Sequence, residues 1–233
     1  MTFIPGGTSP TTEPTELDTF VRRSTVEGME PGPRSCLVIV DVQRDFCDDQ
    51  PGATLGVPFG GKVAGLIGDH LRRSIHDYDL VVLTGDWHVD PGPHFSESPD
   101  YRDTWPRHCV AGTIGATWHP QLDAALSEVD GRVPTVVIRK GSHQAAYSGF
   151  EGFEQSDDRS LDDVLRGASI ESLDIVGIAT DHCVAATAAD ALQRGYSTRV
   201  LGALTAAVDV DRGVECLAAL VAGGAVVEGQ PPS

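Results

Sequence analysis

The sequence predicts a single open, doubly wound α/β sheet of six strands with helices wound between them. Two observations carry that expectation. From Cys36 onward, short apolar runs alternate with stretches whose apolar residues recur at helical spacing, the signature of parallel βαβ units. In addition, 233 residues of 40% hydrophobic content fit one α/β domain or two small ones and can bury a substantial core. The strand runs are CLVIV (36–40), LVVLT (80–84), TVVIR (135–139), LDIVGIA (173–179), TRVLG (198–202) and AVV (225–227). Helices are expected between them over residues 62–76, 119–129, 160–168, 184–194 and 211–222. Ahead of the first run, residues 1–34 are rich in Pro, Gly and Thr, with a short helix expected over 14–26 carrying Leu17, Phe20 and Val21 on one side. This segment reads as an appended arm, and residues 35–233 as a single domain. One stretch of 32 residues, 86–117, contains three Pro-interrupted turns and no periodicity. A loop of that length inside a compact domain is usually functional.

Composition excludes several classes of function. Acidic residues outnumber basic ones 34 to 17, for a net charge of −17, and no basic patch or tail is present. That balance argues against non-specific binding to nucleic acid or to an anionic membrane surface. The longest mildly apolar stretch, 216–227, is broken by two glycines and falls short of the roughly 18 to 20 residues that span a bilayer. The opening MTFIPGG lacks the charged and apolar regions of a secretory signal. Five widely spaced cysteines, with no C-x-x-C pair, point to a reduced, cytoplasmic protein. A homo-oligomer is compatible with the sequence. Of the 17 basic residues only Lys62 and Lys140 are lysines. In a chain that uses arginine nearly everywhere else, such a position is one where a compact ammonium is wanted.

In an open parallel sheet, ligands bind outside the carboxyl ends of the strands. The first run leads to Asp41, the second to Asp86 and the third to Lys140, while Cys183 follows the fourth within a few residues. Any one of these alone caps a helix or pairs at the surface more readily than it catalyses. Together they form a chemical set. A thiol needs a nearby base, a positive charge or a helix N-terminus to act as a nucleophile at neutral pH. Asp41 can supply the base, Lys140 the charge and the helix starting near Val184 the dipole. The long loop adds Asp86, His88, His94 and His108, one carboxylate and three imidazoles, a donor set suited to a divalent transition metal such as Zn, Mn or Fe. His70, His76 and His119 lie on or beside expected helices and are assigned to the surface, whereas His143 and His182 adjoin the expected pocket.

These residues carry a resemblance. CLVIVDVQRDFC (36–47), LTGDWHVDPGPHF (83–95), WPRHCVAGTIGA (105–116), RKGSHQAAYSGFEG (139–152) and VGIATDHCVAATAADA (176–191) resemble the nicotinamidase/pyrazinamidase group of the isochorismatase-like cysteine hydrolase superfamily. The resemblance runs from about Cys36 to the last expected strand and does not extend to the arm. It implies a mainly parallel six-stranded sheet with helices on both faces, and hydrolysis of nicotinamide, a small-molecule amide, to nicotinate and ammonia. It further implies a catalytic triad of Asp41, Lys140 and Cys183, and one metal held by Asp86, His88, His94 and His108 that takes the pyridine ring nitrogen of the substrate. By the same resemblance the oxyanion is met by the backbone N–H groups of Ala179 and Cys183, with a non-proline cis peptide bond between Ile178 and Ala179. Phe46, Trp105 and Tyr147 are the aromatic candidates for clamping the ring. Two positions depart from the pattern: Gly85 stands where Lys or Arg is frequent, and His143 where Tyr is frequent.

Three other readings use parts of the same set. A related amidase acting on an N-carbamoyl or ureide substrate would share the triad without needing a ring-nitrogen metal site. An isochorismatase proper, which cleaves a vinyl ether, has no use for the Cys183 nucleophile. A non-catalytic binding protein on this fold would be expected to have lost part of a triad that is complete here.

Overall fold

The computed structural model of the chain describes residues 32–232. The helix expected over 14–26, and the arm up to residue 31, lie outside the described residues. The strands are β1 (Ser35–Val40), β2 (Leu80–Asp86), β3 (Thr135–Lys140), β4 (Phe153–Glu154), β5 (Ser172–Ile178), β6 (Ser197–Ala206) and β7 (Val226–Glu228). The α-helices are α1 (Gly60–Ser74), α2 (Pro120–Val129), α3 (Leu161–Gly167), α4 (Ala185–Gln193) and α5 (Val210–Ala222). The strands join in one sheet of order β4-β3-β2-β1-β5-β6-β7, and every neighbouring pair is parallel except β3 with β4. The expected sheet is therefore extended from six strands to seven. The added one, β4, is a two-residue antiparallel edge, too short to leave an alternation in the sequence.

Alternation along the central strand explains why helices cover both faces. Leu37 and Ile39 of β1 point to the same side as Leu83, Val176 and Ile178, where they meet Val63, Ala64, Ile67 and Leu71 of α1 and Leu122 and Ala125 of α2. Cys36, Val38 and Val40 point to the other side, into a second cluster with Leu161 and Leu165 of α3, Ala188 and Ala191 of α4, and Leu217 and Leu220 of α5. A strand buried on both faces reads as a continuous apolar run, which is how β1 appears in the sequence. Helix starts are secured by side chains: Ser160 accepts the Asp163 N–H at α3 and Asp209 the Arg212 N–H at α5.

From β1 the chain winds outward one way through β2 and β3, and from β5 the other way through β6 and β7. The carboxyl ends of β1 and β5 thus flank the point where the winding reverses, the place where such sheets open a crevice. Among the described residues no helix is long and apolar enough to cross a membrane. Of the three histidines assigned to the surface, His76 is exposed and His70 half-buried, but His119 is buried. Its Nδ1 accepts the Gln121 N–H at the start of α2, and its Nε2 lies 3.1 Å from Asp49 Oδ1. Those two partners satisfy the ring in the interior.

Candidate active site

Asp41 stands one residue past β1 with φ +50°, a left-handed conformation that turns its side chain into the crevice. It is fully buried. Its N–H donates to the Thr84 carbonyl (3.0 Å), and its Oδ1 accepts the Thr84 hydroxyl (2.8 Å). Lys140, the last residue of β3, brings Nζ to 2.9 Å from Asp41 Oδ2 and 2.5 Å from Asp86 Oδ1, donates to the Ala146 carbonyl (3.2 Å), and lies 3.6 Å from Cys183 Sγ. One ammonium therefore joins two carboxylates and the thiol. Burial opposes the charge on Lys140, but Asp41 and Asp86 outweigh it and hold its pKa well above the usual range. Burial raises the Asp41 carboxyl, with Lys140 only partly offsetting it. Burial also pushes the Cys183 thiol well up, against the pull of Lys140 and with the push of Asp41 and Asp86. At rest the thiol keeps its proton, beside a carboxylate more basic than an ordinary one.

The three imidazoles of the long loop converge. Ring nitrogens of His88, His94 and His108 all lie within 4.8 Å of one another, and all three residues are buried. Their tautomers follow from their partners. His88 Nδ1 lies 2.6 Å from the Gly141 carbonyl and His108 Nδ1 2.8 Å from that of Pro106; a carbonyl only accepts, so both Nδ1 atoms carry hydrogen. The Nε2 atoms of His88 and His108 face each other at 3.3 Å, with Asp86 Oδ2 at 3.5 and 3.7 Å. His94 Nδ1 is buried without any partner. Burial, then His108 and His88, push His94 down to about 4, so it is neutral at neutral pH. Asp86 is held well below the usual carboxylate range, since Lys140, His108 and His88 together overcome its burial. Three buried imidazoles and one carboxylate oxygen gathered at one point form a ligand set that fits a cation. The second carboxylate oxygen of Asp86 is committed to Lys140, so only one faces the imidazoles. Gly141, at φ +75°, is required here: a Cβ would stand 2.6 Å from His88 Cε1.

Between the imidazoles and Cys183 lies a cavity of about 390 Å³, its open mouth included. Phe46, Trp105 and Tyr147 all line it. Trp105 Nε1 donates to Tyr147 Oη (3.1 Å), and Phe46 packs against His108 with ring centroids 5.3 Å apart. His182 also lines the cavity, edge-on to Trp105 at 4.9 Å, whereas His143 is exposed. The Ile178–Ala179 peptide bond is cis. Sheet pairing ends with Ile178 opposite Ala206, and the chain enters a π-turn, Thr180–Val184, that leads into α4. The N–H groups of His182 and Val184, on either side of Cys183, both return to the Ala179 carbonyl (3.0 and 3.1 Å).

The structure adds residues that the sequence did not single out. Gln43 is fully buried; its Nε2 donates to the carbonyls of Asp86 and Ala116, and its Oε1 accepts the Asp86 N–H. It locks the backbone at the end of β2 to the loop. Thr84 grips Asp41 at two points, as described above. The departure at Gly85 has a physical reason: Gly85 pairs in register with Arg139, whose guanidinium is sandwiched between Trp87 (4.6 Å) and Trp118 (4.7 Å). A Cβ on Gly85 would stand 2.6 Å from Arg139 Nη1 and 2.7 Å from the Trp118 ring. Because the guanidinium is held on both faces, Gly85→Ala is expected to destabilise the fold by about 1–3 kcal/mol, read as a lower urea midpoint.

With the geometry described, comparison with known proteins gives a consistent answer. Residues 35–230 match the Isochorismatase domain. The chain is 48% identical over 181 residues to the nicotinamidase/pyrazinamidase of Mycobacterium tuberculosis, a match covering 78% of this chain and 91% of that one. The structure resembles a zinc complex of Pyrococcus horikoshii pyrazinamidase, with TM-score 0.68, 32% identity, and coverage of 85% of this chain and 99% of the other. It likewise resembles an L. infantum protein crystallised with nicotinate, with TM-score 0.67, 32% identity, and coverage of 84% and 92%. Since the matched region runs from the first strand of the sheet to the last, the chain belongs to the isochorismatase family.

Proposed function

We infer that the chain is a nicotinamidase, a cysteine amidohydrolase that converts nicotinamide, and with it pyrazinamide, to the acid and ammonia. The observation that carries this reading is a cavity lined both by Cys183, which Lys140 ties to Asp41, and by His94 and His108, which gather with His88 into a cluster that suits a cation. Asp41 takes the Sγ proton as sulfur attacks the amide carbon. The oxyanion is met by the N–H groups of Ala179 and Cys183. The C–N bond then breaks as Asp41 returns the proton to nitrogen, which leaves as ammonia, and a thioester remains. Water gives a proton to Asp41 and attacks the thioester. The C–S bond breaks, the acid departs and sulfur regains the proton. Lys140 stays charged throughout and keeps Asp41 and Cys183 in place. Phe46, Trp105 and Tyr147 hold the ring on its faces. Asp86, His88, His94 and His108 would hold a divalent transition metal, Zn, Mn or Fe, which would supply an orienting contact to the ring nitrogen of the substrate. Residues 35–233 serve as one catalytic domain, and the five free cysteines support a reducing, cytoplasmic setting. The imidazole cluster favours a ring-nitrogen substrate over an N-carbamoyl or ureide one. Ammonia release from nicotinamide by the purified protein tests the reading directly.

Thiol labelling offers a second test. Cys36, Cys47 and Cys109 are fully buried and burial raises each of their thiols, whereas Cys183 opens on the cavity and Cys216 is half-buried at the surface. Iodoacetamide is expected to modify Cys183 and Cys216 first, with nicotinamide protecting Cys183 alone and activity falling in step with Cys183. Peptide mass spectrometry that found Cys47 or Cys109 labelled as fast as Cys183 would contradict the assignment.

A further inference from the structure

We propose that Thr84 is a positioning residue that divides the labour of the two Asp41 oxygens, occupying Oδ1 with its hydroxyl so that Oδ2 is the atom that accepts and returns the proton. The inference rests on the amidase reading above. Three observations carry it. First, Thr84 Oγ1 donates to Asp41 Oδ1 at 2.8 Å, and both residues are fully buried, so no solvent competes for that oxygen. Second, Asp41 Oδ2 is buried without a hydrogen-bond partner; Lys140 Nζ, at 2.9 Å, pairs with it by charge while donating to Asp86, the Ala146 carbonyl and Cys183 Sγ. The oxygen with a lone pair to spare is thus the one beside the ammonium that also reaches Cys183 Sγ. Third, the Thr84 side chain is closely packed. Its methyl lies against Gly149, where even a Cβ would come within 2.8 Å of it, and β-branching leaves few alternative rotamers.

A second grip makes the arrangement stiff. The Thr84 carbonyl accepts the Asp41 N–H (3.0 Å), so one residue holds both the backbone and the side chain of a residue that lies beyond the end of its strand with positive φ. A freely rotating carboxylate would present either oxygen to the thiol and spend part of its time turned toward Lys140 by both. Proton transfer is steeply sensitive to such placement, and a shift of about 1 Å at a catalytic group lowers rate by roughly 100-fold.

The test compares Thr84→Val, nearly isosteric but without a hydroxyl, with Thr84→Ser, which keeps the hydroxyl and drops the methyl. Steady-state ammonia release from nicotinamide, metal content and melting temperature are measured for both. Thr84→Val is expected to lose roughly 10- to 100-fold in kcat with KM and bound metal little changed, and Thr84→Ser to recover most of kcat. Should the valine variant not fold, Thr84→Ala removes the same hydroxyl without adding a methyl and enters the same comparison. A hydroxyl-free variant with wild-type kcat, a loss confined to KM, or a serine variant no better than valine would each overturn the proposal. If the unmodified protein itself releases no ammonia, the amidase reading fails instead, so the two failures are distinguishable.

Discussion

Cys183→Ala is expected to lower kcat for nicotinamide by roughly 10⁴-fold or more, while the folded protein keeps its metal and its melting temperature changes by only a few degrees. The size follows from the chemistry. No other thiol reaches the cavity: among the described cysteines, Cys36, Cys47 and Cys109 lie in the interior and Cys216 lies on the groove between α4 and α5. Without sulfur, Asp41 retains a base's environment but has only water to activate against an unactivated amide. Cys183→Ser is a sharper control than alanine. Its hydroxyl sits within reach of the same ammonium and carboxylate, yet an alcohol is far harder to deprotonate than a thiol, so serine is expected to be almost as inactive. Retention of ammonia release by both variants, measured by a coupled ammonia assay, would show that the thiol is not the nucleophile.

The second large effect concerns the imidazole cluster. Protein purified without added metal is expected to carry one divalent ion per chain by elemental analysis. Stripping that ion, or replacing His94 by alanine, is expected to reduce kcat/KM on the order of 100-fold or more, since even partners outside the ligand shell commonly cost 10- to 100-fold. His94 is the informative position because its Nδ1 has no protein partner, so its loss disturbs no existing hydrogen bond. His88 and His108 are tied through Nδ1 to backbone carbonyls, and replacing them also frees Gly141 or Pro106. Restoration of activity to the stripped protein by one metal and not another would identify the ion. Full activity in a metal-free preparation would exclude the orienting role.

Much of this arrangement is legible in the chain because strand ends are legible. The apolar run before Asp41 is continuous since β1 is buried on both faces, and the runs before Asp86 and Lys140 are nearly so. Each ends where a polar residue meets the crevice. Lys140 stood out because arginine is preferred elsewhere. What the sequence did not disclose depends on register. Gln43 and Thr84 carry no signature of their own; their roles arise because β1 lies beside β2 with Val40 opposite Thr84. The shared grip of Lys140 on Asp41 and Asp86 needs β3 beside β2 with Lys140 opposite Asp86. The same register, one step earlier, places Arg139 against Gly85 and accounts for the missing side chain there. A place beside an expected helix suggests the surface for His119, whereas a buried imidazole is recognisable only with its partner, and Asp49 is remote in sequence. The two residues of β4 are too few for any periodicity.

The reversal of winding between β1 and β5 has a consequence for how activity is acquired. Asp41, Lys140 and the three imidazoles all come from β1, β2, β3 and the segments that join them. The thiol and the turn that presents it come only with β5, which must find β1 across most of the length of the domain. Such a distant pairing is the kind that slows folding. Metal uptake and amide hydrolysis are therefore expected to report on different stages of assembly. During refolding, ion uptake is expected to precede the return of ammonia release, since turnover needs the two arms of the sheet closed on a common seam.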